Sequence, residues 1–220
     1  MTGSPSPYRE GARRAAAIAP AVFVFGVSFG LLAQTAGMGA LASIVMSATT
    51  FAGSAQFAAL SVLGSAGGIA AAATAAILLN ARYVPIGISV APVIEGSLWR
   101  RLLEAQLVVD ESWAFSRRRD GTYDRGVLLG AGLVLYASWN GGTAVGAFGG
   151  EALGDPEVLG LDGAFAALFL ALLVPQVRSR RALAAALLGA AIAFVLIPFS
   201  SPGVPIIAAS AACLVGWRRA

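Results

Sequence analysis

The residue best placed to do chemistry is Arg82, a charge well inside an apolar segment, in the run Asn80-Ala-Arg-Tyr-Val-Pro85. Charges at such depth in a membrane are rare and usually functional. Pro85 has no amide hydrogen, so we expect a kinked helix in which the carbonyl of Ala81 is left free. Asn80 and Arg82 would then offer substrate-binding or gating groups within one helical turn. The alternative is that Arg82 extends to the membrane interface or pairs with an acidic residue.

A second polar group, Gly53-Ser54-Ala55-Gln56, interrupts another apolar segment. If a helix begins at Gly53, its free amide groups and the positive end of its dipole would face a carboxylate. Ser54 and Gln56 would add side-chain hydrogen bonds, which makes all three residues candidates for substrate binding. The alternative is that the small residues pack helices together and that Gln56 links two helices by a hydrogen bond.

The third group lies in the run Tyr136-Ala-Ser-Trp-Asn-Gly-Gly-Thr143, where Trp139 and Asn140 stand in the middle of an apolar segment. Glycines spaced four residues apart predict close helix packing. Such spacings occur in the sets Gly26/Gly30, Gly126/Gly130 and Gly142/Gly146/Gly150. Packing does not require an asparagine, so we interpret Trp139 and Asn140 as candidate substrate-binding residues.

One acidic residue stands out in the stretch 98–116, which is predicted to form an amphipathic helix with Asp110 on its apolar side. A carboxylate there must pair with a cation or take up a proton. Asp110 is therefore a candidate proton carrier for an ion-coupled process, a partner for Arg82, or half of a salt bridge that closes the cytoplasmic side. Glu104 and Glu111 share the other face with arginines and are expected to be solvated.

Composition places these groups in a lipid bilayer. Of the 220 residues, 58% are hydrophobic and only 12% are charged, about half the charged share of a soluble domain. No Asp, Glu, Lys or Arg occurs in the 67 residues from Ala15 to Ala81, or in Ala182–Trp217. A membrane-spanning helix needs about twenty apolar residues. The sequence therefore predicts an all-α polytopic integral membrane protein.

The missing residue types exclude most enzyme classes. All fifteen cationic side chains are arginines, histidine is absent, and Cys213 is the single cysteine. The lack of lysine excludes P-loop nucleotide hydrolysis and Schiff-base chemistry. The lack of histidine excludes Ser-His-Asp triads and HExxH zinc sites. We therefore expect no enzyme, no metal and no cofactor. The arginine clusters flank apolar segments, which predicts membrane topology and no nucleic-acid binding.

About seven apolar segments can be marked, and the charges between them predict which side faces the cytoplasm. The segments are about 15–36, 39–63, 67–92, 126–149, 163–177, 182–199 and 203–217. Arginine-rich stretches lie before the first segment, between some of the segments and after the last one. In 150–162, by contrast, every charged residue is acidic. By the positive-inside rule, both termini are cytoplasmic. We expect a tail of residues 1–14, one transmembrane domain of residues 15–217 that includes a cytoplasmic amphipathic connection, 93–125, and a tail of residues 218–220.

The number of segments predicts a break in the first half. Three segments, an odd number, join a cytoplasmic N-terminus to a cytoplasmic connection, so one of them must fail to cross simply. The best candidate is 39–63, which we expect to be broken or re-entrant because small and polar residues occupy its middle. Broken backbone is tolerated in a membrane where it lines a protein cavity. The alternative is that 98–116 is embedded more deeply.

The motifs, taken in order, resemble those of the AzlC family, the large subunit of a two-component branched-chain amino acid exporter. The resemblance covers about residues 10–217 and rests on the runs Gly26-Val-Ser-Phe-Gly30, Phe51-Ala-Gly-Ser-Ala-Gln-Phe57, Leu79-Asn-Ala-Arg-Tyr83, Asp110-Glu-Ser-Trp-Ala114, Tyr136 to Thr143 and Leu161-Asp-Gly-Ala-Phe165. It implies a small hydrophobic AzlD-like partner subunit and a place in the bacterial inner membrane. Where the family pattern has Asn-x-Arg-His, this sequence has Tyr83, so a His-dependent proton relay is not expected.

Together, the residues and the resemblance imply export of branched-chain or related apolar amino acids, driven by an ion gradient. The substrate carboxylate would meet Arg82 and the amides of Gly53–Gln56. The ammonium would meet freed carbonyls, Asn80 or Asn140, and Trp139 would help to enclose the side chain. Two alternatives remain open: an uncoupled channel or facilitator, and a scaffold subunit of a membrane complex for another small solute.

Overall fold

The computed structural model describes residues 6–153, 170, 173–174, 177–200 and 204–216. Within these residues the chain is helical, and the only β contact is an isolated bridge between Arg117 and Tyr123. The all-α fold expected from the sequence is therefore confirmed. The predicted segment 163–177 and the acidic loop 150–162 lie largely outside the described residues.

The described residues form a series of helices that divide into two compact units. In chain order the α-helices are α1 Pro7–Ala16, α2 Ala19–Thr35, α3 Ala40–Thr50, α4 Gly53–Gly64, α5 Ile69–Asn80, α6 Tyr83–Val90, α7 Leu98–Ala105, α8 Asp110–Ser116, α9 Arg125–Leu153, α10 Arg180–Leu196 and α11 Val204–Ala209. Single 3-10 segments follow three of them: Ala91–Val93, Ile197–Phe199 and Ser210–Gly216. The first unit contains Met1–Gln34, Met38–Gly53 and Asn80–Ala152, and the second contains Thr35–Gly37, Ser54–Leu79 and Leu153–Ala220.

Length and composition identify the candidate membrane spans. Among the described residues, Arg180–Phe199 is the one continuous helical stretch that is long and apolar enough to cross a membrane. Two bent pairs also qualify if each pair is counted as one span. Pro7–Ala16 and Ala19–Thr35 meet at 62°, and Ile69–Asn80 and Tyr83–Val93 meet at 45°.

The predicted break in segment 39–63 is confirmed. Helix α3 ends at Thr50 and α4 begins at Gly53. Between them, Phe51 has a φ of 38°, in the left-handed region, which a bulky side chain adopts only at a cost in free energy. The surrounding packing must therefore hold this break in place.

Segment 67–92 is kinked at Ala81–Arg82, four residues before Pro85, as the proline predicts. The expected free carbonyl at Ala81 is wrong, because its oxygen accepts a hydrogen bond from the amide of Val84 at 3.1 Å. Proline removes the amide at position 85, and the helix tightens locally so that the preceding amide takes its place.

The single helix predicted over 98–116 is also wrong, since the chain forms two short helices there, α7 and α8. The amide of Leu107 bonds to an oxygen three residues back, at 3.1 Å, which tightens the end of α7. The amide of Val109 then donates to Ser112 Oγ at 2.9 Å, and α8 begins at the next residue. Apolar periodicity continues across this junction, so the sequence pattern alone does not reveal it.

Helices α2 and α9 of the first unit pack through their glycines, which confirms the predicted packing role of Gly26, Gly30, Gly142 and Gly146. A Cβ atom on Gly26 or Gly30 would collide with the backbone of α9. In the same way, a Cβ on Gly142 or Gly146 would collide with the backbone of α2. Helix α9 has 29 residues and a length of about 43 Å, and α2 packs directly against its backbone.

Helix α4 from Ser54 onward and helices α10 and α11 belong to the second unit. Helix α4 buries most of its residues, including Ser54 and Gln56. Helix α11 and the 3-10 segment Ser210–Gly216 pack against α10, where Gly189 of α10 leaves room for Ala209 and Ala212.

Candidate functional site

A cavity of about 490 Å³ lies within the first unit, and residues at the breaks in segments 39–63 and 67–92 form part of its wall. The break between α3 and α4 contributes Thr50, Phe51 and Ala52, and the break between α5 and α6 contributes Asn80 and Tyr83. The remaining wall comes mainly from apolar residues of α6 and α7 and from the 3-10 segment between them. The cavity can therefore hold a small molecule with an apolar part beside irregular backbone.

Side-chain hydrogen bonds hold the α3 end of this cavity. Gln106 Nε2, which lies just after α7, donates to the carbonyl oxygens of Ala48 and Thr49 at 2.9 Å and 3.0 Å. The hydroxyl of Tyr136 donates to the Ala48 oxygen at 2.9 Å, and its ring packs edge-on against Phe51 at 5.0 Å. The last carbonyls of a helix need partners from outside the helix. The hydrogen bonds from Gln106 and Tyr136 supply these partners, and the ring contact of Tyr136 supports the left-handed backbone at Phe51.

Asn80 brings an available acceptor to the cavity wall. Its Oδ1 atom is buried, and within the described residues it accepts no hydrogen bond. Most buried polar atoms in proteins have a partner. A ligand with an N–H or O–H group could donate a hydrogen bond to this oxygen.

An ion pair lies beside the cavity. The guanidinium of Arg82, the residue before α6, is 3.1 Å from the carboxylate of Asp110, the first residue of α8. The same guanidinium lies 5.3 Å from the ring centre of Tyr83, a residue of the cavity wall, where a cation is attracted to the ring. The indole N–H of Trp113 donates to Ser89 Oγ at 2.9 Å and forms a second link between α8 and α6. Two polar contacts thus hold α8 against α6 and the residue before it, and α6 forms one wall of the cavity.

Glu104 departs from its predicted solvated position, because it is buried and bound by two arginines. Arg125 Nε and Arg100 Nε both donate to its carboxylate at 2.9 Å. The hydrogen bonds from Arg125 outweigh the effect of burial and lower the pKa of Glu104 below its usual 4.5. The cluster ties α7 to the start of α9.

We expect Glu104→Gln to lower the thermal stability of the purified protein near neutral pH, because the arginines lose their charged partner. A carboxylate whose pKa is lowered by folding stabilises the protein above its unfolded pKa, and that contribution is lost as the pH falls through the folded pKa. The gap in melting temperature between wild type and variant should therefore narrow between about pH 7 and about pH 4. Glu95→Gln, at an exposed carboxylate, is the control, and an equal gap at both pH values would contradict this account.

The structure distributes the sequence-predicted site residues rather than gathering them. Asn80 lines the cavity, and Arg82 and Asp110 pair beside it. Ser54 and Gln56 are buried in α4 of the second unit. Their role in binding stays a prediction.

The remaining predicted residues, Gly53, Trp139 and Asn140, lie together in the first unit. A Cβ on Gly53 would stand 3.0 Å from the indole of Trp139, so the small residue admits the ring. Trp139 also stacks on Phe29, with ring centres 6.0 Å apart. Asn140 Nδ2 donates to the oxygen of Tyr136 at 2.9 Å. This arrangement supports the start of α4, and their role in substrate binding stays a prediction.

Sequence reasoning missed four polar residues of the cavity wall: Thr50, Tyr83, Arg101 and Gln106. The sequence groups Arg101 with the other arginines of the cytoplasmic connection 93–125. That connection is amphipathic, so an arginine in it is expected to be solvated and does not indicate a cavity. The signal for Gln106 was its position directly before the apolar run Leu107-Val-Val109, where a solvated surface is not expected.

Comparison with known proteins identifies relatives in bacteria and archaea. Residues 17–153 match the AzlC protein family. A membrane protein of Archaeoglobus fulgidus is 30% identical over 96% of this chain and 94% of its own length. The inner membrane protein YgaZ of Escherichia coli is 26% identical over 86% of this chain and 83% of its own length. The branched-chain amino acid transport protein AzlC of Bacillus subtilis is 29% identical over 70% of this chain and 62% of its own length.

No solved structure matches the chain. The relatives confirm that it is a membrane protein, as its composition predicts, and they point to a transport protein rather than an enzyme.

Proposed function

Since the chain belongs to the AzlC family, we propose that it is the large subunit of a transporter that exports branched-chain or related apolar amino acids. The observation that carries this proposal is the cavity at the two helix breaks. Transporters commonly place their substrate sites where discontinuous helices expose backbone groups to a protected cavity. A largely apolar wall with a few polar groups suits a small amino acid with an apolar side chain.

Coupling is proposed to come from an ion gradient, because the sequence contains no P-loop lysine for nucleotide hydrolysis. Asp110 is the candidate proton carrier. Its carboxylate faces Arg82 at 3.1 Å, so protonation would release the contact that holds α8 near the cavity. Acidic residues in membrane segments commonly serve as proton relays in pumps and transporters.

We further propose that the chain works with a small hydrophobic AzlD-like subunit in the bacterial inner membrane. Both termini would be cytoplasmic, since arginines cluster near each of them. The family assignment supports the partner, and the inner membrane location of the Escherichia coli relative supports the compartment.

The proposal is tested by efflux from cells loaded with dipeptides that contain leucine or valine. Cells that express this chain with its partner subunit should raise the external concentration of the free amino acid above the internal one. Release that only equalises the two concentrations would indicate an uncoupled facilitator. A lack of release, with both subunits present in the membrane, would contradict the amino acid substrate. Unchanged export by the partner after this chain is omitted would indicate a scaffold.

A further inference from the structure

We infer that the cavity recognises the two charges of an apolar amino acid separately, with Asn80 binding the ammonium group and Arg101, rather than Arg82, binding the carboxylate. This inference rests on the proposed function and assigns the substrate contacts of the same site. It departs from the expectation drawn from the sequence, in which Arg82 meets the carboxylate.

Asn80 is the ammonium ligand because its free acceptor lies in the cavity wall. The Oδ1 atom is buried and accepts no hydrogen bond from any described residue. An ammonium group offers three donors and no acceptor, so it satisfies such an oxygen. The carbonyl of Ala81, the other acceptor expected from the sequence, is already bonded to the amide of Val84.

Arg101 is the carboxylate ligand because it is the arginine of the cavity wall. It lies next to Arg100 on α7, but the two side chains differ in their partners. Arg100 donates to Glu104 at 2.9 Å. Arg101 lines the cavity, and its side chain makes no hydrogen bond or ion pair with the described residues. Arg82, by contrast, has Asp110 as its counter-ion. A guanidinium without an acid partner offers a planar pair of donors that fits a carboxylate.

The rest of the wall fixes the substrate class. None of the described residues that line the cavity is an Asp or a Glu, so an amine without a carboxylate would find no acidic partner. Apolar side chains such as Val90, Leu98 and Leu102 make up much of the remaining surface. One cation, one free acceptor and an apolar wall together complement a zwitterion with an apolar side chain.

Three ligands with the same isobutyl side chain test this assignment. Leucine carries both charges, 4-methylpentanoate lacks the ammonium group, and 3-methylbutylamine lacks the carboxylate. Each would compete with radiolabelled leucine for the purified complex of this chain and its partner in lipid nanodiscs. Each pairing of a variant with a ligand that lacks one group forms a double-mutant cycle, which isolates the contact between that group and the substituted side chain.

In these cycles Asn80→Leu should weaken leucine and 3-methylbutylamine by about tenfold and leave 4-methylpentanoate unchanged. Arg101→Gln should weaken leucine and 4-methylpentanoate by about tenfold and leave 3-methylbutylamine unchanged. Asn80→Asp keeps the acceptor and adds a charge, so it should increase the preference for leucine over 4-methylpentanoate. This variant maintains the test if Asn80→Leu does not fold.

Two controls remove comparable groups outside the cavity wall. Arg100→Gln neutralises the neighbouring arginine, and Thr74→Val removes a hydroxyl that bonds within α5. Both should preserve the wild-type order of the three ligands. If leucine binds and is exported, but the affinity ratios in the Asn80 and Arg101 variants equal those of wild type, the assignment is overturned and the function stands. If the wild type neither binds nor exports leucine, both are overturned.

Discussion

Gly142→Ala is expected to destabilise the protein by about 1–3 kcal/mol, although it adds a single methyl group. The new Cβ would stand 2.9 Å from the amide nitrogen of Val27 and would press on the carbonyl of Phe23. These are backbone atoms of α2, which cannot move aside as a side chain can. Alanine is the better helix former by about 1 kcal/mol, so the loss must come from the collision of the two helices.

The neighbouring glycine supplies the matched control. A Cβ on Gly141 would lie 3.7 Å from the ring of Phe23, an ordinary contact. Gly141→Ala should therefore keep or slightly raise the stability. Apparent melting temperatures in detergent and the amount of each variant in the membrane measure the difference. Equal behaviour of the two variants would show that α2 and α9 do not approach at Gly142.

Arg82→Ala is expected to reduce leucine export by about tenfold or more and to lower the abundance of the folded protein in the membrane, because breaking an ion pair leaves one charge without its partner. The change leaves the carboxylate of Asp110 without its cation beside the kink between α5 and α6. An uncompensated charge in such a place is costly. Asp110→Asn should be similarly harmful, because it leaves the guanidinium without its acid.

Combining Arg82→Ala with Asp110→Asn should restore much of the membrane abundance lost in the single variants, since no unpaired charge remains. Export should stay low if protonation of Asp110 is part of coupling. Arg118→Ala, which breaks the exposed pair with Asp124, should have little effect, as exposed ion pairs contribute little. A double variant that loses as much abundance as the two single variants added together would contradict the pairing.

Much of this architecture could be predicted from local chemistry. The small and polar residues after Phe51 predicted the break in 39–63, Pro85 predicted the kink at Ala81, and the glycine spacings predicted packing. In each case the cause lies within a few residues of its effect. Backbone geometry near a glycine or a proline is a local matter, and one sequence is enough to anticipate it.

The contents of the cavity could not be predicted in this way. The sequence names Asp110 as one possible partner of Arg82, but choosing between Arg82 and Arg101 requires knowing which arginine has an acid beside it, and only the fold shows this. The hydrogen bonds of Gln106 join it to carbonyls 57 and 58 residues earlier in the chain. At the junction between α7 and α8, the amide of Val109 donates to the hydroxyl of Ser112 instead of to a backbone oxygen. Such competitions between nearly equal hydrogen bonds leave no periodic pattern in the sequence.

The most direct test of the central claim, that an apolar amino acid occupies the cavity, is protection of a cysteine placed in its wall. Gly87 lines the cavity, and a Cβ there would meet no atom within 4 Å, so Gly87→Cys should fold. It would be made in a Cys213→Ala background, which removes the single native cysteine. Gly68→Cys is the control, because that position is equally open and does not line the cavity.

The rate of maleimide labelling would be measured for both variants in membranes, with and without leucine. The account predicts that leucine slows labelling of the Gly87→Cys variant several-fold, with half-maximal protection at the concentration that half-saturates export, and leaves the Gly68→Cys variant unchanged. Labelling of the Gly87→Cys variant at the same rate with and without saturating leucine, in a protein that still exports it, would contradict the account and place the substrate elsewhere.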